Sequence, residues 1–139
     1  MSDKNFTIAE ARLLLQEKFA PWVQDLDLRF ESLEDGEVLM RVPASDRLNR
    51  EGGTICGQAI MAAADTAMVF AVASLMDGFV PMTTVSQSSS FLRAATEADM
   101  MVHASIIKPG RTIVYGEVYL YTLGPDKPIA HVTNTTMLL

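Results

Sequence analysis

The sequence has a single cysteine, Cys56, and so cannot form an internal disulfide. A disulfide-stapled scaffold is excluded, and a reducing setting, the cytoplasm, is expected. Positive charge is scarce too. Lys and Arg number 11 against 17 Asp and Glu, giving a net charge of −6. Such a chain repels a phosphate backbone, so nucleic acid is not an expected partner. The two histidines stand apart from any acidic cluster, so there is no metal-ligand spacing and no metal is expected. No Gly-x-Ser-x-Gly occurs, which removes the serine-hydrolase elbow. The stretch MSDKNFTIAEARLLLQ carries acids among its apolar residues and has no apolar core, so it does not read as a signal peptide. Apolar residues make up 49% and charged residues 20%, which excludes a disordered acidic chain. A length of 139 residues suits one domain over 1–139.

The few bases are unevenly placed. Residues 51–139 hold only Arg93, Lys108, Arg111 and Lys127. These are the natural contacts for an anionic small molecule, or else ordinary solvated charges. A first helix is expected over about 7–20, with Thr7 as cap and Glu10 completing a capping box. Gly36 and the alternation around Val38, Met40 and Val42 predict a strand closed by Pro43. Residues 44–55 read as a loop. From Ala59 to Met76, only Asp65, Thr66 and Ser74 are polar, which predicts a helix. It would be about 27 Å long at ~1.5 Å per residue, enough to cross a membrane. Its alanine content, the intramembrane Asp65 and the lack of flanking bases argue instead for a soluble core helix. Strands are expected at Val80–Leu92, Met100–Ile107, Thr112–Leu123 and Pro128–Leu138, with turns at 108–111 and 124–127.

A helix apolar on every side must be covered on every side. A flat sheet covers only one. The expected architecture is therefore α+β, with about five antiparallel strands curved around a central helix and a second subunit covering more of it.

Asp65 is the residue that needs a reason, because an ionised carboxylate in so apolar a helix is expensive unless partnered. It is either hydrogen-bonded to a neighbouring loop on a wet stripe or a general base or nucleophile. Gly52, Gly53 and Gly57 cluster where the helix begins. Free N–H groups there can hold an oxyanion, although a plain glycine loop with a helix cap has the same pattern. Gly57 and Asp65 are eight residues apart, about 12 Å along a helix. One helix cannot easily bring both to one carbonyl, whereas two antiparallel helices from two subunits can. Cys56 is a rival nucleophile only if the fold brings His103 or His131 to it. The run Ser86–Ser90 and both histidines read as strand surface or hydrogen-bonded positions.

These pieces resemble a known family. Asn49, Gly52-Gly53-Thr54-Ile55-Cys56-Gly57-Gln58 and Ala64-Asp65-Thr66-Ala67 are similar to the pattern of the PaaI-like hotdog-fold acyl-CoA thioesterases, in the 4-hydroxybenzoyl-CoA thioesterase superfamily. Thr83-Thr84, Phe91-Leu92-Arg93-Ala94-Ala95 and Lys108-Pro109-Gly110-Arg111 resemble later parts of that pattern. The resemblance covers about residues 36–139. It implies a hotdog fold and hydrolysis of a small, medium-chain or aryl acyl-CoA without metal or cofactor. It implies active sites shared across a homodimer, with dimers paired into tetramers. The implied roles are Asp65 as base or nucleophile, Gly57 N–H from the neighbouring subunit as oxyanion donor, Asn49 as a positioning group and Thr84 as a hydroxyl beside the Asp. Arg93, Lys108, Gly110 and Arg111 fall where coenzyme A contacts lie. Cys56 stands in place of the family's His and Gln58 in place of its second Gly, at the substrate-binding edge. A non-catalytic acyl-CoA or acyl-carrier binding module, or a structural dimerising domain, are the alternatives.

Overall fold

The computed structural model describes residues 6–95 and 97–139. Helix α1 runs Ile8–Lys18, with the expected Thr7–Glu10 capping box formed in both directions. It ends before residue 20. A separate short helix α2 (Pro21–Gln24) follows, because Pro21 suits a helix start and cannot continue α1. Strands β1 (Arg29–Glu34), β2 (Glu37–Val42), β3 (Met82–Phe91), β4 (Met100–Pro109), β5 (Ile113–Tyr121) and β6 (Ala130–Leu138) form one antiparallel sheet in the order β1-β2-β4-β5-β6-β3. Helix α3 (Gly57–Leu75) packs on it.

The sheet has six strands rather than about five, because β1 was not expected. It pairs with β2 through Asp35 (φ +40°) and Gly36 (φ +84°), a two-residue turn with both residues left-handed, which suits the twist of a hairpin. The sheet therefore begins at residue 29, not near 36. The expected turn at Lys108-Pro109-Gly110-Arg111 is shorter than its motif, since Lys108 and Pro109 still belong to β4 and pair with Tyr115 and Val114.

Helix α3 starts two residues earlier than its apolar run. Cys56 is its N-cap, with Sγ accepting from Ala59 N–H at 3.4 Å. It stops where Asp77 turns left-handed (φ +60°) and Gly78 N–H reaches back to the Ala73 carbonyl. By length and composition α3 could cross a membrane, but 67% of its apolar window is buried inside this fold. Phe70, fully buried, stacks on Phe19 and meets Phe30 edge-on. Gly116 on β5 allows the close approach, since a Cβ there would lie 2.7 Å from the Met68 methyl. The polar residues inside α3 are satisfied. Thr66 donates to the Ala62 carbonyl, and Ser74 donates to Ala71 O and accepts from Gly36 N–H.

Where β2 leaves the sheet, Asp99 takes the Ala44 N–H at 2.9 Å and the Arg41 guanidinium at 2.8 Å. The Ala44 amide first, then Arg41, hold its carboxyl below the usual range. A lowered folded value stabilises above the ordinary carboxylate pKa, and the contribution is lost as pH falls through the folded value. Asp99→Asn is therefore expected to melt below wild type at neutral pH, with the gap closing in acid. Melting curves at pH 7 and pH 3 check this, and a gap independent of pH would contradict it.

Candidate active site

Asp65 lies on the stripe of α3 that the sheet leaves accessible, with Gln58, Met61, Ala62 and Val69. It is half-buried. Strand β3 runs antiparallel along this stripe: Thr84 meets Asp65, Gln87 meets Met61, and Phe91 meets Gly57. Thr84 Oγ1 donates to Asp65 Oδ1 at 2.6 Å, and Asn134 Nδ2 reaches the same oxygen at 3.4 Å. Both donors are neutral. Among the described residues, the side-chain partners of Asp65 are thus hydrogen-bond donors and solvent rather than a cation. Among the described residues, no donor takes Oδ2. A carboxylate held by one oxygen and open at the other is suited to accept a proton or attack a carbonyl.

The N-terminus of α3 presents a different chemistry. Arg50–Thr54 closes a small loop, with Gly52 and Gly53 both left-handed, and Asn49 bridges Ile55. Cys56 N–H is bonded to Leu48 O, which steers the chain into α3. Gly57 then opens the helix at the floor of a cleft of about 360 Å³. Ile55, Ile60, Phe91 and Leu92 make the cleft apolar, and Arg50 and Arg93 bring positive charge to it. A helix N-terminus with unspent N–H groups favours a developing negative charge.

The chain matches the model of the thioesterase superfamily over residues 52–129. It belongs to that superfamily. A candidate esterase of Thermoplasma volcanium is 31% identical over 91 residues, which are 66% of this chain and 68% of that protein. A solved protein of Silicibacter sp. TM1040, described as a candidate thioesterase, is 28% identical, with a TM-score of 0.86 over 99% of this chain and 94% of that one. The PaaI protein of the E. coli phenylacetic acid degradation operon shares the fold at 14% identity, with a TM-score of 0.80 over 93% and 90% of the two chains. The chain is a thioester hydrolase with the hotdog fold.

Within one chain of this thioesterase the expected site residues fall into two groups. Asp65 and Thr84 stand together. Gly57, Cys56, Gln58, Asn49 and Arg93 stand at the N-terminus of α3, two turns before Asp65. Asn49 faces a second cavity of about 520 Å³, on the Gly57 side and away from Asp65. Lys108, Gly110 and Arg111 belong to the end of the sheet near Thr84, because Thr84 pairs with Thr136, Thr136 with Val114, and Leu138 N–H bonds Thr112 O. Arg93, one residue beyond the Phe91–Ala130 pair and Leu92, lies at the far end. The rival Cys–His pair is not formed. His103 and His131 lie on the sheet face away from α3, bonded to Glu37 and Glu117. Three residues of the site were not expected from the sequence. Asn134 and Gln87 come next to Asp65 only through strand pairing, and Arg50 enters the Gly57 cleft by the hairpin-like loop.

Proposed function

We propose that the protein hydrolyses the thioester of a small, medium-chain or aryl acyl-CoA, as a dimer whose two active sites are shared. The observation that carries this is the Asp65 carboxylate, tethered at Oδ1 and open at Oδ2, about 12 Å along α3 from the helix start at Gly57. Asp65 Oδ2 takes a proton from water as the water oxygen attacks the carbonyl carbon, or attacks that carbon itself to form a mixed anhydride, which water then hydrolyses to the acid and free Asp65. Gly57 N–H of the partner subunit holds the oxyanion, and the coenzyme A thiolate leaves. A thioester is already activated, so base, oxyanion donor and positioned water suffice without a metal or cofactor. Asn49 of the partner subunit helps to place the water, and Cys56 and Gln58 border the acyl group.

The sheet edges support the dimer. Edge strand β1 is short, bulged and charged, which discourages pairing. Edge strand β3, MTTVSQSSSF, is ten residues long with no charge and no proline. Such an edge invites a second copy. Antiparallel self-pairing centred on Ser88 sets Gln87 against the partner's Ser89. It also sets the partner's Phe91 against the bulge near Thr84, and so brings the partner's Gly57 towards Asp65. The same two-fold brings Lys108 and Arg111 of one subunit towards the partner's Arg93. Dimers then pair into a tetramer, and the unpaired Cys56 suits the cytoplasm as the working compartment.

The test of substrate class is thiol release from a panel of acyl-CoAs. The three bases carry a separate expectation. If they bind the nucleotide phosphates, Arg111→Ala raises KM for acyl-CoA by roughly 2- to 5-fold, the worth of an exposed ion pair, and leaves kcat nearly unchanged. An acyl thioester lacking the nucleotide should be unaffected, and wild-type KM should climb with ionic strength. Equal slowing of both substrates would make Arg111 structural.

A further inference from the structure

We infer that Asn134 is a positioning residue of this site: it fixes the Asp65 carboxylate so that Oδ2 is the reacting oxygen. The inference rests on the reading of Asp65 as base or nucleophile, and it comes from a hydrogen-bond chain whose direction is determined at every link.

The chain begins at the Met61 carbonyl of α3, which can only accept. Gln87 therefore presents Nε2 to it, at 3.1 Å, and turns Oε1 the other way. Oε1 can only accept, so Asn134 must present Nδ2 to it, at 2.8 Å. The second proton of the same Nδ2 points to Asp65 Oδ1. Asn134 Oδ1 is then left to accept, and Thr136 Oγ1 donates to it at 2.7 Å. Flipping the Asn134 amide would set its oxygen against both Gln87 Oε1 and the carboxylate. Each member excludes the alternative orientation of the next.

Burial makes the arrangement rigid. Asn134 is 1% exposed and Thr136 3% exposed, so neither exchanges its partners for water. Both point inward from β6, on the face that also carries the buried Ala130 and Val132, where a polar side chain is expensive unless fully bonded. Thr84 alone would fix one oxygen but leave the carboxylate free to rotate about that bond. A second donor on the same Oδ1, from another strand, removes that freedom and leaves Oδ2 as the oxygen that neither donor occupies. Gln87 ties the same network to β3, the strand proposed to pair with the partner, so the carboxylate is set by the element that also sets the partner's Gly57.

The test uses the full chain and an acyl-CoA that wild type hydrolyses. Asn134→Ala and Thr136→Val are made in wild type and in Asp65→Asn. Asn134→Ala is expected to lower kcat by roughly 10- to 100-fold, the scale of a misplaced catalytic group, with KM within about twofold. Thr136→Val keeps the volume and removes only the anchor of the amide. It should lower kcat by roughly 3- to 10-fold, the worth of one hydrogen bond, again without moving KM. In Asp65→Asn neither change should lower the residual rate further, because the oriented group is already gone. A merely structural role would reduce the rate equally in both backgrounds, in step with lost folded protein, and would overturn the inference. So would wild-type kcat in both variants while Asp65→Asn is inactive, which leaves the reading of Asp65 standing. Full activity in Asp65→Asn would remove that reading and the inference together.

Discussion

Asp65→Asn should abolish most turnover while leaving the protein folded. The amide keeps the size of the carboxylate, and its oxygen can still accept from Thr84 at the 2.6 Å position and from Asn134. What it loses is basicity and nucleophilicity at the second oxygen. Loss of a general base costs typically 10²- to 10⁴-fold, so kcat should fall by roughly 10²-fold or more. KM should change little, because the carboxylate acts on water or on the carbonyl rather than on the nucleotide. Among the described residues no cation pairs with Asp65, so no partner charge is stranded by the substitution, and the melting temperature should stay close to wild type. Steady-state kinetics with a thermal melt of the same preparation checks both halves. Near-native turnover in a folded variant would remove Asp65 from the chemistry.

Two inactive variants, mixed, should recover activity. In a shared site, Asp65→Asn homodimers lack the base at both sites. Gly57→Val homodimers lack an accessible N–H at both, because a Cβ at Gly57 already lies 3.4 Å from the Phe91 ring and its branches fill the cleft mouth. Gly57 has no left-handed φ, so its backbone tolerates the change. In a heterodimer one site combines the intact Asp65 with the intact Gly57, and the other carries both defects. Random assortment makes half the dimers mixed, so about a quarter of wild-type activity should return after co-refolding. If each site lay within one chain, the mixture would stay as inactive as its parents. An active monomer in sedimentation would argue the same way.

Much of the architecture was legible because it depends on local physics. The Thr7–Glu10 box marked the start of α1, and the apolar run around Asp65 marked α3 to within two residues. Alternation located β2, and short Gly/Pro turns between segments rich in Val, Ile, Tyr and Thr located β4, β5 and β6. Strand β1 was overlooked because Arg29–Glu34 is a charged edge strand with little alternation; the Asp35-Gly36 pair was its one local signal. The polar line of β3 was visible as Ser86–Ser90. That its inward member, Gln87, faces Met61 was not.

The active-site candidates divide along the same boundary. Asp65 stood out from sequence alone because a carboxylate among alanines is costly wherever the helix goes. Because helix rise is fixed, the eight-residue spacing from Gly57 to Asp65 predicts a site at a dimer interface if both residues act on one carbonyl. Asn134 carries no such signal. It is 69 residues from Asp65 and reads as one polar residue in a strand of valine and threonine. Its meaning depends on the β3–β6 register, which sets Asn134 opposite Gln87, and on the packing of that pair beneath α3. A shift of one residue would turn Asn134 to the solvent face and leave the same sequence with no network at all. Local composition therefore determined which residue needed a partner, and long-range strand pairing decided which partners it received.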